Sequence, residues 1–212
     1  MILSDKKIRT LCEKTETPLI ENFSEESLQS ESYDISIGKT IAIIGSNTHG
    51  LDLKVAKDFE RIYQKIELTS SGYQIQPQEF ILVSVQEKLN MPDNLTAHIR
   101  PRTRFTRAGL LVCAQHINST YSGNLWIGLY NATNFPITIY IGIAIAQFVF
   151  EELEEIPSPA KQYKNKMGTF QKEKEGDLQG SVITEKENQE IENYVNRILM
   201  RGDDGRKTTK SN

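Results

Sequence analysis

Four arginines fall within eight positions in the run Arg100-Pro101-Arg102-Thr103-Arg104-Phe105-Thr106-Arg107, in a chain whose formal net charge is −3. A guanidinium is planar, permanently charged and able to grip two phosphate oxygens at once. The Thr103 hydroxyl could add another bond. If this segment opens a short helix, its unpaired N–H groups would face the same anion. A solvated basic turn paired with the acidic residues 151 to 155 has the same composition, so the run alone leaves both readings open. A second polar run, His116-Ile117-Asn118-Ser119-Thr120-Tyr121-Ser122-Gly123, separates two strand-like segments. A hairpin there can offer backbone N–H and C=O groups to a base edge while Tyr121 stacks on a sugar; an ordinary polar hairpin with a surface tyrosine would look alike. Gln147 ends the apolar run Gly142-Ile143-Ala144-Ile145-Ala146-Gln147. A buried amide there must find partners or cost about 1–3 kcal/mol, and a neighbouring backbone group would satisfy it. His49, in a polar loop, and His98, outward on a strand, have no Cys or Glu at metal-ligand spacing. Trp126 reads as a core residue.

These side chains need a scaffold, and the pattern around them is β. Ser4 is placed to cap a short helix over residues 4 to 14, with Ile8, Leu11 and Cys12 on one face. Pro18 prevents its continuation. Tyr33, Ile35 and Ile37 alternate with polar residues, and Ile41 to Ile44 extend the strand. Residues 45 to 72 read as a polar hairpin insertion. From Tyr73 on, strands are expected at Phe80–Val85, Leu95–Ile99, Leu110–Ala114, Leu125–Asn131, Ile137–Tyr140 and Ile145–Phe150. Turn residues such as Gly123, Asn134, Pro136 and Gly142 separate them. Many short strands with regular turns imply a mostly β jelly roll or barrel. After Phe150 the chain turns acidic, then Lys-rich from 161 to 180. Thr184 and Glu187 form a capping-box pattern. Ile191, Val195, Ile198 and Leu199 make a narrow apolar stripe on a helix starting near Glu185. The expected organisation is a domain over 1–170, a C-terminal extension with a helix over 171–200, and a polar, disordered tail over 201–212.

The totals set bounds. With 25 Lys and Arg against 28 Asp and Glu in 212 residues, the chain has no global attraction for nucleic acid or an anionic membrane. Its two cysteines, Cys12 and Cys113, form no zinc spacing and no disulfide framework, which points to a reducing cytoplasm. The longest apolar stretch, Ile137 to Phe150, is interrupted and too short to span a bilayer.

Taken in order, the segments resemble one family. Met1-Ile2-Leu3-Ser4-Asp5-Lys6-Lys7-Ile8-Arg9, then Leu28-Gln29 and Ser32-Tyr33-Asp34-Ile35, look like the opening of a bacterial dCTP deaminase. Residues 102 to 110 resemble the Arg-Ser-Ser-Leu-Ala-Arg-x-Gly-Leu motif of the dCTP deaminase and dUTPase family. Ile117 to Gly123 resembles its Ile-Asp-x-x-Tyr/Trp-x-Gly hairpin, and Gly142 to Gln147 its later motif ending in glutamine. Tyr163 to Gly168 is weakly similar to the C-terminal closing segment. The resemblance, which covers residues 1 to 170, implies a dUTPase-like jelly roll or distorted β-barrel. It also implies a homotrimer with sites at subunit interfaces, binding a pyrimidine nucleoside triphosphate. Arg102, Thr103, Arg104, Arg107 and Gln147 would hold the triphosphate with a bridging Mg²⁺. Ala114, Gln115, His116 and Asn118 would read the base, Tyr121 would pack on the deoxyribose, and Tyr163 and Lys166 would close the site. Asp34 would brace it.

The departures fall on the proton-moving positions. Gly128 stands where deaminases of the family carry a glutamate, and Asn118 where dUTP-hydrolysing members carry an aspartate. An amide can orient water but cannot take its proton at neutral pH. His116 replaces an expected arginine, and Arg104 a serine. The leading expectation is therefore a nucleotide-binding member that is impaired in catalysis and serves as a sensor, sequestering agent or regulator, with the C-terminal helix as a possible partner surface. The alternatives are an active dCTP deaminase or dUTP diphosphatase with a substitute acid, such as Asp34 or the 151–155 cluster, and a structural trimer without ligand.

Overall fold

The computed structural model describes residues 1–13, 16–46, 50–51, 59–166, 170–178, 180 and 185–204. His49, Thr184 and residues 205–212 lie outside the described residues. In chain order the elements are α1 (Asp5–Glu13), β1 (Ile20–Glu21), β2 (Tyr33–Ile44), α2 (Phe59–Ile62), β3 (Tyr63–Glu67), β4 (Tyr73–Ile75), β5 (Phe80–Asn90), β6 (Leu95–Pro101), α3 (Thr103–Arg107), β7 (Leu110–Val112), β8 (His116–Ile117), β9 (Ser122–Asn131), β10 (Ile137–Ile139), β11 (Ala144–Glu152) and α4 (Glu185–Asp204). The expected mostly β architecture with a helix near each end is present. α4 runs through Asp204, four residues past its expected end at 200.

One curled sheet of nine strands runs β7-β9-β5-β2-β11-β6-β8, with β1 added on β5 and β3 on β2; β10 and β4 form a separate pair. Every pairing among these strands is antiparallel. The expected hairpin insertion takes the form of β3 laid back along β2. Register shifts at Ser84/Lys88 and Ala144/Ala146 mark bulges, which bend a strand and increase its twist. The core fills the concave side with Tyr33, Ile35, Ile81, Leu89, Phe148 and Phe150, all fully buried. Ala42, Leu82 and Trp126 sit one residue away from the core residues Ile41, Ile81 and Ile127, so they face the other side of the sheet. There they form a second cluster with Leu178, Phe59 and Tyr63. Trp126 therefore belongs to this outer cluster and not to the main core. Among the described residues no helix is long and apolar enough to cross a membrane.

Glu87 is buried beneath β2, where both carboxylate oxygens accept the Ser36 N–H at 3.0 Å. Burial pushes this carboxyl up to about 7; the Ser36 N–H opposes the shift and the charge of Asp34 adds to it. A folded-state pKa above the unfolded value of about 4.5 means that the native chain holds the proton more tightly. The associated stability is complete below pH 4.5 and is lost as the pH rises through 7. Glu87→Gln is thus expected to flatten this slope and to stabilise the chain at pH 8 by on the order of 2 kcal/mol relative to wild type. Urea midpoints at pH 5 and pH 8 check this; parallel curves for the two proteins would refute it.

Candidate functional site

The arginine run folds into one helical turn, α3, started by Arg102 and ended by Ala108. Gly109 follows with φ +81°, the left-handed conformation that closes a helix. A Cβ there would stand 2.3 Å from Thr133 Cγ2, so both φ and space demand glycine. Arg102 donates to Asp34 Oδ2 at 2.5 Å, and Gln147 Nε2 donates to Asp34 Oδ1 at 3.0 Å. The Asp34 side chain is 8% exposed and that of Arg102 27%. This is the partner that Gln147 required, and it is a carboxylate on the adjacent strand: β11 pairs Gln147 with Asp34 on one side and with Arg100 on the other. Asp34 therefore fastens to each other two of the side chains expected to grip phosphate. Arg104 lies over the Phe105 ring at 4.8 Å and donates to Ala144 O. Thr103, Arg104 and Arg107 are exposed. The acidic segment does not neutralise this turn among the described contacts; Glu151 lies 3.8 Å from His98 instead.

The hairpin leads to a different place. Gln115, His116, Asn118, Tyr121 and Tyr163 line a cavity of about 420 Å³ on the outer side of the sheet, a size typical of small-molecule sites. Its apolar wall includes Phe59, Tyr63, Trp126 and Phe170. Gln115 donates to Trp126 O at 2.9 Å, and Tyr121 donates to Asn124 O at 3.0 Å. Tyr121 is 3% exposed, and its hydroxyl is raised beyond the ordinary tyrosine range, first by burial and then by the charge of Glu173. The His116 ring lies 5.1 Å from that of His98, the two tilted by 50°. Ala114 and Lys166 are exposed and do not border the cavity; nor do the arginines or Gln147. Within one chain, then, the expected site residues other than Ala114 and Lys166 fall either on the arginine turn and β11 or around the hairpin cavity.

Residues 163–166 and 170–178 lie against the hairpin, and Tyr163, Phe170, Glu173 and Leu178 among them border the cavity. Gln171 bridges the hairpin, accepting the Ser122 N–H at 3.1 Å and donating to Thr120 O at 3.0 Å. Lys172 N donates to Ser122 O at 2.7 Å, and Asn124 N to Glu173 O at 2.8 Å. The Trp126 indole donates to Asp177 O at 2.8 Å. Thr120, a β-branched residue, sits at φ +64°, an unfavourable conformation held between Pro92 O and the Lys164 N–H. Sequence reasoning missed Glu173. It is 4% exposed and borders the cavity, yet it lies in a Lys-rich stretch with no apolar periodicity.

The two departed acid positions differ. Asn118 borders the cavity. Gly128 is buried under Phe80 and Cys113: a Cβ would meet Phe80 Cζ at 2.8 Å and Cys113 Sγ at 2.9 Å. The space a side chain would need is occupied.

A curled antiparallel sheet carrying an arginine turn braced by an aspartate, and a hairpin-lined cavity, defines a protein of the dUTPase-like β class. The chain belongs to the dCTP deaminase-like family, whose model matches residues 2–153. It is 35% identical over 156 residues to a dCTP deaminase, dUMP-forming, of Persephonella marina, covering 73% of this chain and 86% of that one. It is 30% identical over 190 residues to a protein of the same name from Nanoarchaeum equitans, covering 82% and 94%. A crystal structure of 2′-deoxycytidine 5′-triphosphate deaminase from Agrobacterium tumefaciens superposes with a TM-score of 0.57 at 20% identity. That match covers 70% of this chain and 47% of the other, so the chain spans about half of that protein's length.

Proposed function

We propose that this chain binds a pyrimidine deoxynucleoside triphosphate at the subunit interfaces of a homotrimer, in a reducing cytoplasm. The observation that carries the reading is Asp34, which holds Arg102 and Gln147 together at the start of the helical turn that ends in the exposed Arg107. A bound polyphosphate would explain why permanently charged groups are gathered and fixed there. The separation of this cluster from the hairpin cavity supports an interface site, in which one subunit supplies the phosphate grip and its neighbour the nucleoside pocket. Among the described residues no group of three His, Cys, Asp or Glu is placed to hold a metal, and Asp34 is engaged by Arg102 and Gln147. A Mg²⁺ ion would therefore take its oxygens from the triphosphate. The proton route through positions 118 and 128 is closed. The chain accordingly either holds its nucleotide unconverted, as a sensor or sequestering protein, or moves protons with another carboxylate. Glu173, which borders the cavity, supports the second reading. The exposed Tyr194 and Ile198 of α4 leave room for a protein partner in a regulatory role.

Trp126 is the chain's single tryptophan and borders the cavity, so nucleotide binding should alter its fluorescence. Warming the protein with dCTP or dUTP and Mg²⁺ should raise the melting point, because ligand at a hundredfold excess over Kd stabilises by about 2.7 kcal/mol. Arg107→Ala should abolish the shift while leaving the ligand-free melting point unchanged, since the Arg107 side chain is exposed on the last turn of α3. An unchanged shift would place the phosphate elsewhere. No shift with any nucleotide would leave a purely structural trimer.

A further inference from the structure

The two-residue strand β8 is both the last strand in the sheet path and one wall of the cavity. It pairs with β6 through Ala97↔Ile117 and His98↔His116, and both of its residues border the cavity. We propose that the His98–His116 pair is a proton-sensitive catch on this strand. With at most one charge it lets β8 lie against β6; with two it lifts the strand and opens the cavity wall as the pH falls. The device needs no ligand, so it stands or falls apart from the nucleotide-binding reading.

The register sets the two imidazoles against each other. The Ile99 N–H donates to Gln115 O at 2.9 Å. Antiparallel partners alternate between hydrogen-bonded pairs and pairs without such bonds, and side chains stand closer in the latter. His98 and His116, one step along the ladder, form a pair of the closer kind. Their rings lie 5.1 Å apart. Like charges directly opposite one another on neighbouring strands weaken the pairing, and an imidazole gains its charge between about pH 5 and 8. Beside the ladder, Thr96 Oγ1 donates to Ile117 O at 2.8 Å. Having given its one proton there, the hydroxyl can only accept from His116 Nε2, 3.5 Å away. Thr96 therefore does not oppose a charge on His116.

The surroundings supply a counterion to one ring of the pair. On β11 the Glu151 carboxylate stands 3.8 Å from His98 Nε2, so a charge on His98 has a partner. On β6 itself Arg100, exposed and two residues along the same face of the strand, adds further positive charge. His116 borders the cavity, whose other titratable lining residues among those described are Tyr63, Tyr121, Tyr163 and Glu173. A first charge, balanced by Glu151, leaves β8 in place. A second, on His116, meets the first across the pair.

The test follows amide exchange by NMR in the full chain without ligand, at pH 7.5 and pH 5.5. The readout is the protection of Ile99, whose amide bonds to Gln115 O, relative to that of Leu129, which pairs with both β5 and β7. Taking the ratio of the two protection factors removes the intrinsic pH dependence of exchange. In the wild type the relative protection of Ile99 should fall by about two- to fivefold at the lower pH. In His98→Gln, which leaves a single imidazole, it should not change. Glu87 titrates over the same interval, but it is present in both proteins and drops out of the comparison. No fall in the wild type, the result expected if Glu173 instead held a charged His116, overturns the catch. So does an equal fall in His98→Gln. If His98→Gln does not fold, His116→Gln removes the opposite charge: loss of the pH response supports the catch, and a persisting fall refutes it.

Discussion

Glutamate placed at position 128 is expected to destabilise the folded chain by about 1–3 kcal/mol, the usual cost of overpacking, and not to create a dCTP deaminase. The position is buried on β9, and the first carbon of any side chain there comes within 2.9 Å of both Phe80 and Cys113. The Phe80 ring must swing outward, and the new carboxylate must lose water without a partner. In a chain of this size each kcal/mol lowers the melting point by about 2–4 °C. The double variant Gly128→Glu with Phe80→Ala should recover part of the loss, because it removes the nearer of the two obstacles. A double-mutant cycle measures that coupling, expected at roughly 0.5–3 kcal/mol for residues in contact. Additive effects would mean that Phe80 does not fill the space. The consequence is that no side chain fits at position 128 unless Phe80 or Cys113 moves.

The strands that proved legible are those whose burial is set by their own alternation. Tyr33, Ile35 and Ile37 announce β2, and the run from Ile145 to Phe150 announces β11, because a half-buried or central strand writes its environment into side-chain type. The two-residue strands β1 and β8 carry no such record, since two residues cannot show a period. α4 outlasts its expected end because the apolar stripe, which set that end, stops before the hydrogen-bonded turns do. Trp126 is buried as expected, but in the second core cluster and not in the main one. Large aromatic character predicts burial but not which side of the sheet is covered, and here the cover is a segment that pairs through its backbone.

The same distinction divides the site. The arginine turn was legible because charge density is a property of local sequence. That Gln147 needs a partner was legible from its polarity; that the partner is Asp34, 113 residues away, follows from the adjacency of β2 and β11 and from nothing local. Glu173 was illegible altogether. Its burial is produced by main-chain bonds from residues 172 and 173 to Ser122 and Asn124, and backbone pairing leaves no trace in a Lys-rich stretch of sequence.

Removing the carboxylate of Asp34 is expected to be the more costly of the two changes argued here. Asp34→Ala deletes the acceptor of Arg102 and of Gln147 at once. Breaking a buried pair by deleting one partner costs about 3–5 kcal/mol, because the other charge stays behind. Arg102 retains 27% exposure, and water reaching it should bring the loss toward the lower figure. Urea unfolding should show it, and 1 M salt should do little to shrink the difference, since a largely buried pair is screened much less than a surface one. A loss below about 1 kcal/mol would reduce the pair to an ordinary surface contact. Asp34→Asn discriminates further: it keeps an oxygen for Arg102 but loses the charge and forces Gln147 to turn. It should therefore fold better than the alanine variant and still bind nucleotide less tightly. That ordering follows if Asp34 acts by holding the phosphate-gripping side chains in place, and it would be reversed if Asp34 acted on the base itself.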